Sequence, residues 1–158
     1  MTFEVKACIQ NMETGFSHNF TFPTAEKEIR KQLGLGEDGE YLIVDYEGIP
    51  GITELTSIKQ LNTLATKLEE IPAIYHSLVH DWIVHYNNLN EFMKEFKVND
   101  WTIVPISSDE DFGEYLVKEV QAIKIPSDLE NYFNYQAYGR DCRLNFNCVI
   151  SDDYYAWK

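Results

Sequence analysis

Basic residues are scarce in this chain. Lys and Arg number 13 against 26 Asp and Glu, giving a formal net charge of −13. A protein that grips nucleic acid through its phosphates needs a net basic surface, so that class is set aside. Long apolar runs are missing as well, and no stretch nears the roughly 18–20 residues of a membrane-spanning helix. Cysteine is limited to Cys8, Cys142 and Cys148, with no CxxC pair. That removes a disulfide framework, a thioredoxin-like dithiol and a cysteine-based structural zinc site. Residues 1–10 include Glu4 and no apolar h-region. No secretion signal is therefore expected, and a reduced, cytoplasmic setting is. The sequence contains no GxxxxGK[ST], GxGxxG or GxSxG motif, so phosphate loops, dinucleotide folds and a serine nucleophile elbow have no support.

What is present is enough for a core. Of the 158 residues, 44% are hydrophobic and 14% aromatic, which excludes global disorder. The length suits one domain or a few small subdomains. Residues 3–10 alternate apolar and polar, as do 16–22, and a turn-like patch at 11–15 makes them a hairpin. Thr24 is a suitable N-cap for a short helix carrying Ile29 and Leu33, which Gly34 ends. Residues 41–47 form a third strand.

The middle of the chain is helical. Ser57 and Gln60 have capping-box spacing. Ile58, Leu61, Leu64, Ala65, Leu68 and Ile71 then make one apolar stripe. Pro72 suits the first turn of a next helix bearing Ile74, Leu78, Val79, Trp82, Ile83 and Tyr86. A third short helix begins near Asn88 and carries Phe92 and Phe96. Beyond it come a strand at 101–106 and a helix capped by Ser108, with Phe112, Tyr115, Leu116 and Val120 on one face. Ser127 to Glu130 reads as a second capping box, followed by the aromatic run Tyr132, Phe133, Tyr135 and Tyr138. A hairpin around Ser151-Asp152-Asp153 closes the chain. The expected fold is α+β: an antiparallel sheet with a helix (1–55), a helical middle (56–100) and a mixed C-terminal part (101–158).

Candidate chemistry is thin. His76 and His80 have the i, i+4 spacing of two metal ligands, but Ser77 stands where a metalloprotease helix needs Glu. His85 falls on the opposite face. These histidines are expected to be partly exposed. Cys142 lies near Arg140 and Arg143, which favour a thiolate, yet no base accompanies it. Carboxylate pairs are too abundant to single out a dyad. No active site, no cofactor site and no metal site is expected.

The acidity is spread out. Residues 1–70 carry a net −6, 71–104 a net −2 and 105–158 a net −5, so it is no acidic tail. Asp109, Glu110 and Asp111 sit where a helix macrodipole favours acids. Glu110, Asp111 and Glu114 share a face turned away from the apolar one. Asp45 and Glu47 share a strand face, about 6.7 Å apart. Acidic faces repel themselves, and solubility or a basic partner can account for them. A duplex carries one charge per roughly 1.7 Å of axis, so thirteen net charges match roughly 22 Å of duplex.

Four stretches in order carry a resemblance. They are Phe20-Thr21-Phe22-Pro23, the run from Glu40 to Glu47, the run from Thr56 to Asn62, and the run from Ile125 to Asp141. The last contains Pro-x-x-Leu-x-x-Tyr-x-x-Tyr-x-x-Tyr-Gly-Arg-Asp. Together they resemble the ArdA family of antirestriction proteins over nearly the whole chain. The resemblance implies a cofactor-free, non-enzymatic protein carried on plasmids, transposons or phages. It implies an elongated chain of three small subdomains, dimeric through the C-terminal one. It also implies mimicry of bent DNA, which blocks type I restriction–modification enzymes in their DNA groove. The alternative is an acidic scaffold for another basic DNA-binding protein or nuclease. Contact residues are expected at Asp45, Glu47, Glu54, Asp109, Glu110, Asp111, Glu114, Glu119, Asp128 and Glu130. Tyr132, Tyr135 and Tyr138 are expected in a small core or dimer interface, with Arg140 and Asp141 fixing a turn or cross-chain contact. Lys118 and Lys124 dilute the acidity before Pro126.

Overall fold

The computed structural model describes residues 3–46 and 48–158, and the fold is mixed α+β. The described residues divide into two compact units, one up to Phe96 and one from Lys97 onward.

The first unit begins with strands β1 (Val5–Asn11) and β2 (Ser17–Phe22), then helix α1 (Glu26–Leu33) and strand β3 (Tyr41–Tyr46). The strands form one antiparallel sheet in the order β2-β1-β3. Alternation buries Val5, Ala7 and Ile9 with Phe20 and Phe22 of the partner strand. Lys6, Cys8 and Gln10 take the other face. α1 starts at Ala25 with no side-chain cap. Thr24, the expected cap, is held elsewhere. Its hydroxyl donates to the Thr21 carbonyl at 2.6 Å, and Asn62 brackets its backbone with two bonds of 2.8 Å. Gly34 ends the helix in the left-handed region, φ 67°.

Helix α2 (Ile58–Glu69) bears the expected capping box, with Ser57 and Gln60 bonded reciprocally at 2.9 and 3.1 Å. All six residues of its apolar stripe, through Ile71, are buried. The segment after Pro72 is not one helix. A 3₁₀ stretch, Ala73–Leu78, precedes helix α3 (Val79–His85). The tighter winding turns Ile74 outward, to 65% exposure. Helix α4 (Leu89–Glu95) is capped by Asn88. Trp82, Phe92 and Phe96 pack as a buried aromatic cluster.

The second unit holds strand β4 (Thr102–Val104), helix α5 (Asp109–Glu114), helix α6 (Tyr135–Asn145), and strands β5 (Val149–Ile150) and β6 (Tyr155–Trp157). Its antiparallel sheet runs β4-β6-β5, closed by the expected hairpin. Val104, Ile106, Phe112, Leu116 and Tyr155 form the core. α5 runs on into a π-helical turn, Tyr115–Glu119. The wider turn takes Val120 off the apolar face, leaving it 50% exposed. The second capping box does not form. Ser127 and Asp128 lie in a turn before a 3₁₀ segment, Glu130–Tyr132, and α6 instead begins at Asn134, whose side chain accepts from the Ala137 amide. Among the described residues no helix is long and apolar enough to cross a membrane.

Candidate partner-binding surface

The start of α5 is an anchored acidic ridge. Ser108 caps the helix, its hydroxyl accepting from the Asp111 amide at 3.1 Å. Asp109 turns inward. Arg143 donates to both its oxygens, Nε at 2.7 Å and Nη2 at 3.1 Å, and the Tyr155 hydroxyl donates at 2.8 Å. Bonds from Arg143 hold the Asp109 carboxyl below its ordinary range, with Tyr155 adding to the effect and desolvation opposing it. Burial foremost, with the Asp109 bond beside it, pushes the Tyr155 hydroxyl up to about 12.

Two glycines make this anchor possible. α5 and α6 cross with Gly113 against Gly139. A Cβ on Gly113 would strike the Tyr135 carbonyl, and one on Gly139 would strike the Asp109 carbonyl. Close backbone approach at the crossing is what brings Arg143 of α6 within reach of Asp109. The sequence reading missed both this pair of glycines and the Asp109–Arg143–Tyr155 cluster. An isolated glycine inside each of two helical patterns was the available signal.

With Asp109 turned in, its neighbours face outward. Glu110 and Asp111 are exposed and form no ion pair among the described residues. Glu114 is half-buried and meets Lys118 at 3.4 Å, while Lys118 also lies over the Tyr135 ring. Glu119 is exposed on the π-helical turn, and Asp128 and Glu130 are exposed beyond it. In the first unit Asp45 is exposed on β3, paired in register with Cys8. Glu54 is exposed in the loop after β3, where its carbonyl accepts from the Ile43 amide at 3.0 Å. Glu47 lies outside the described residues. Glu110, Asp111 and Glu114 are thus brought together on one short helix.

The aromatic run divides. Tyr132 is 85% exposed, whereas the Phe133 ring meets Tyr135 at 5.0 Å and Tyr138 at 5.6 Å. Tyr138 packs on the core beside Cys142. Arg140 and Asp141 do not fix a turn, because Gly139 continues α6. They are exposed in mid-helix, 3.5 Å apart.

His76 corrects another expectation, for it is buried. Its Nδ1 accepts from the Phe3 amide at 2.8 Å, and its Nε2 lies 2.9 Å from the Ile71 carbonyl. That pattern requires the neutral ring with its proton on Nε2, and it occupies both nitrogens. His80 is exposed beside Asp81. Among the described residues no three His, Cys, Asp or Glu side chains are grouped to hold a metal ion. Burial pushes the Cys148 thiol up to about 11, so it is a packing group.

These features define a class: an acidic α+β protein with carboxylates displayed on anchored elements. The family model described as antirestriction protein (ArdA) matches residues 7–156, and the chain belongs to that family. The family is non-enzymatic, and its antirestriction function is directed at type I restriction–modification enzymes. Among curated proteins none matches the chain.

Proposed function

We propose that this protein blocks type I restriction–modification enzymes by occupying their DNA-binding groove as an acidic mimic of the duplex. The observation that carries the reading is the fixed, outward display of Glu110 and Asp111 beside the inward-locked Asp109, in a chain of net charge −13. A DNA groove is built to receive regularly held negative charge. Carboxylates on a folded element meet that requirement with less ordering on binding than a flexible tail. The contact set comprises Asp45, Glu47, Glu54, Glu110, Asp111, Glu114, Glu119, Asp128 and Glu130. Asp109 serves it indirectly, by holding the start of α5.

Association of this kind is steered by charge, fast, and weakened by salt. The same reading takes the protein as a cytoplasmic homodimer joined through 101–158 and carried on a mobile element. The test is titration of the protein into ATP-dependent cleavage of unmodified DNA by a type I enzyme. Inhibition near stoichiometry, absent with an unrelated protein of equal charge, is the expected result. No inhibition across several type I subfamilies, with capture of other basic DNA-binding proteins instead, overturns it in favour of an acidic scaffold.

A further inference from the structure

The tip of the first hairpin exposes two large apolar side chains, Met12 at 50% and Phe16 at 52%. They begin and end the turn between β1 and β2. Neither belongs to the acidic contact set above. Exposed apolar groups on a loose loop mean little, but this turn is fastened. Asn11 is buried, and its side chain does three things. Its Nδ2 donates to the Leu33 carbonyl at 3.0 Å, and its Oδ1 accepts from the amides of Glu13 and Thr14 at 2.8 and 3.3 Å. The Asn11 amide also donates to the Phe16 carbonyl at 2.8 Å, closing the turn.

A second loop is tied to the first. The Met12 amide donates to the Glu40 carbonyl at 3.1 Å. Arg30 staples that loop by donating to the carbonyls of Gly36 and Gly39, each at 2.9 Å, while its own charge is met by Glu26. Glu13, Glu37, Asp38 and Glu40 are exposed around the tip and form no ion pair among the described residues. The result is a rigid apolar tip inside an acidic rim.

We propose that this tip is a docking prong, in which Met12 and Phe16 anchor the protein in an apolar recess at the edge of the enzyme's basic DNA groove. Charge complementarity chooses the occupant. The acidic rim repels anionic membranes and nucleic acid, the other common hosts for an exposed Met and Phe. A basic protein surface is the host it fits. Electrostatic mimicry supplies steering and a fast on-rate, whereas residence depends on a few desolvated anchors. A prong held before binding supplies such anchors at low ordering cost. The inference rests on the mimic reading above and adds residues that reading does not contain.

The test measures binding of a purified type I enzyme by the parent chain and by a Met12→Ser/Phe16→Ser variant, across a range of salt. Ile74→Ser, at 65% exposure a bare apolar site that neither belongs to the contact set nor adjoins it in sequence, is the control. All three are checked for unchanged thermal unfolding. The expected result is about tenfold or greater loss of affinity for the double variant, through a faster off-rate, with the salt dependence unchanged. The control stays within about twofold. A double variant that binds like the parent, or a control that loses as much, overturns the prong and leaves the mimic reading standing. A parent chain that does not bind at all overturns both.

Discussion

Arg143 holds Asp109 across 34 residues of sequence with two roughly parallel hydrogen bonds, 2.7 and 3.1 Å long. The Asp109 and Arg143 side chains are only 19% and 25% exposed. This fork fixes the first residue of α5, and with it the direction of the acids that follow.

Its pH dependence has a definite sign. The Asp109 carboxyl lies below its ordinary value of 3.8 when folded, through the Arg143 bonds first. The stability it contributes is present above that ordinary value and is lost as pH falls through the lower, folded one. Asp109→Asn is expected to cost about 1.5–3 kcal/mol near neutral pH, and the difference from the parent should shrink toward pH 3. Urea unfolding at several pH values checks this. Arg143→Lys should recover only part of an Arg143→Ala loss, because an ammonium cannot fork.

Tyr155 acts at the other end of the scale. Its hydroxyl is raised from 10.0 to about 12, so its contribution is complete below the ordinary value and is lost as pH rises through about 12. Tyr155→Phe is expected to be less stable than the parent by about 1–3 kcal/mol near neutral pH, a difference that shrinks as pH rises through about 12, and to ionise one late tyrosine fewer than the parent. Tyrosinate absorbance during alkaline titration reads that ionisation directly.

Gly113→Ala and Gly139→Ala should destabilise, against the usual gain of up to about 1 kcal/mol when alanine replaces glycine in an exposed helix. The new Cβ meets backbone rather than a flexible side chain at both sites. The expected cost is about 1–3 kcal/mol or more, with loss of the α5–α6 crossing. Thermal unfolding that is unchanged or improved in either variant contradicts that crossing.

His76 is a structural residue in this account. Replacing it with Ala leaves the Phe3 amide and the Ile71 carbonyl unmatched. A loss of about 1–3 kcal/mol is expected in urea unfolding, with inhibition of the enzyme unchanged under folding conditions. His80→Ala, at an exposed site, should be nearly silent.

How much of this was legible beforehand follows the range of the interactions. The Ser57–Gln60 box, the α2 stripe and the β1 alternation depend on neighbours a few residues apart, and they formed as read, whereas along residues 16–22 only Phe20 and Phe22 are buried. Thr24 and Ser127 have the same local chemistry and failed as caps, because the chain around them is directed from further away. Asp109 looked like one more macrodipole acid, since nothing near it in sequence names Arg143. Gly139 looked like a turn because glycine's usual meaning is conformational, whereas here its missing side chain is what matters. The acidic ridge was legible because charge pattern and family resemblance are properties of the sequence itself. Its anchoring was not.

Charge reversal tests the ridge. Glu110→Lys, Asp111→Lys and Glu114→Lys together should weaken inhibition by about tenfold or more and flatten its salt dependence. The triple variant is expected to lose about 1–3 kcal/mol of stability as well, because Glu110 and Asp111 lie in the first turn of α5 and Glu114 meets Lys118. Inhibition is therefore read under conditions where the variant is shown to be folded. Full potency would remove this helix from the binding surface.

The most direct measurement is competition. A labelled duplex is bound to the DNA-binding core of a type I enzyme, and this protein is titrated in from about 0.05 to about 0.3 M salt. Mimicry predicts complete displacement of the duplex, mutually exclusive with protein binding, at concentrations that rise with salt. A ternary complex of enzyme, duplex and this protein would contradict the account, because two occupants cannot share one groove.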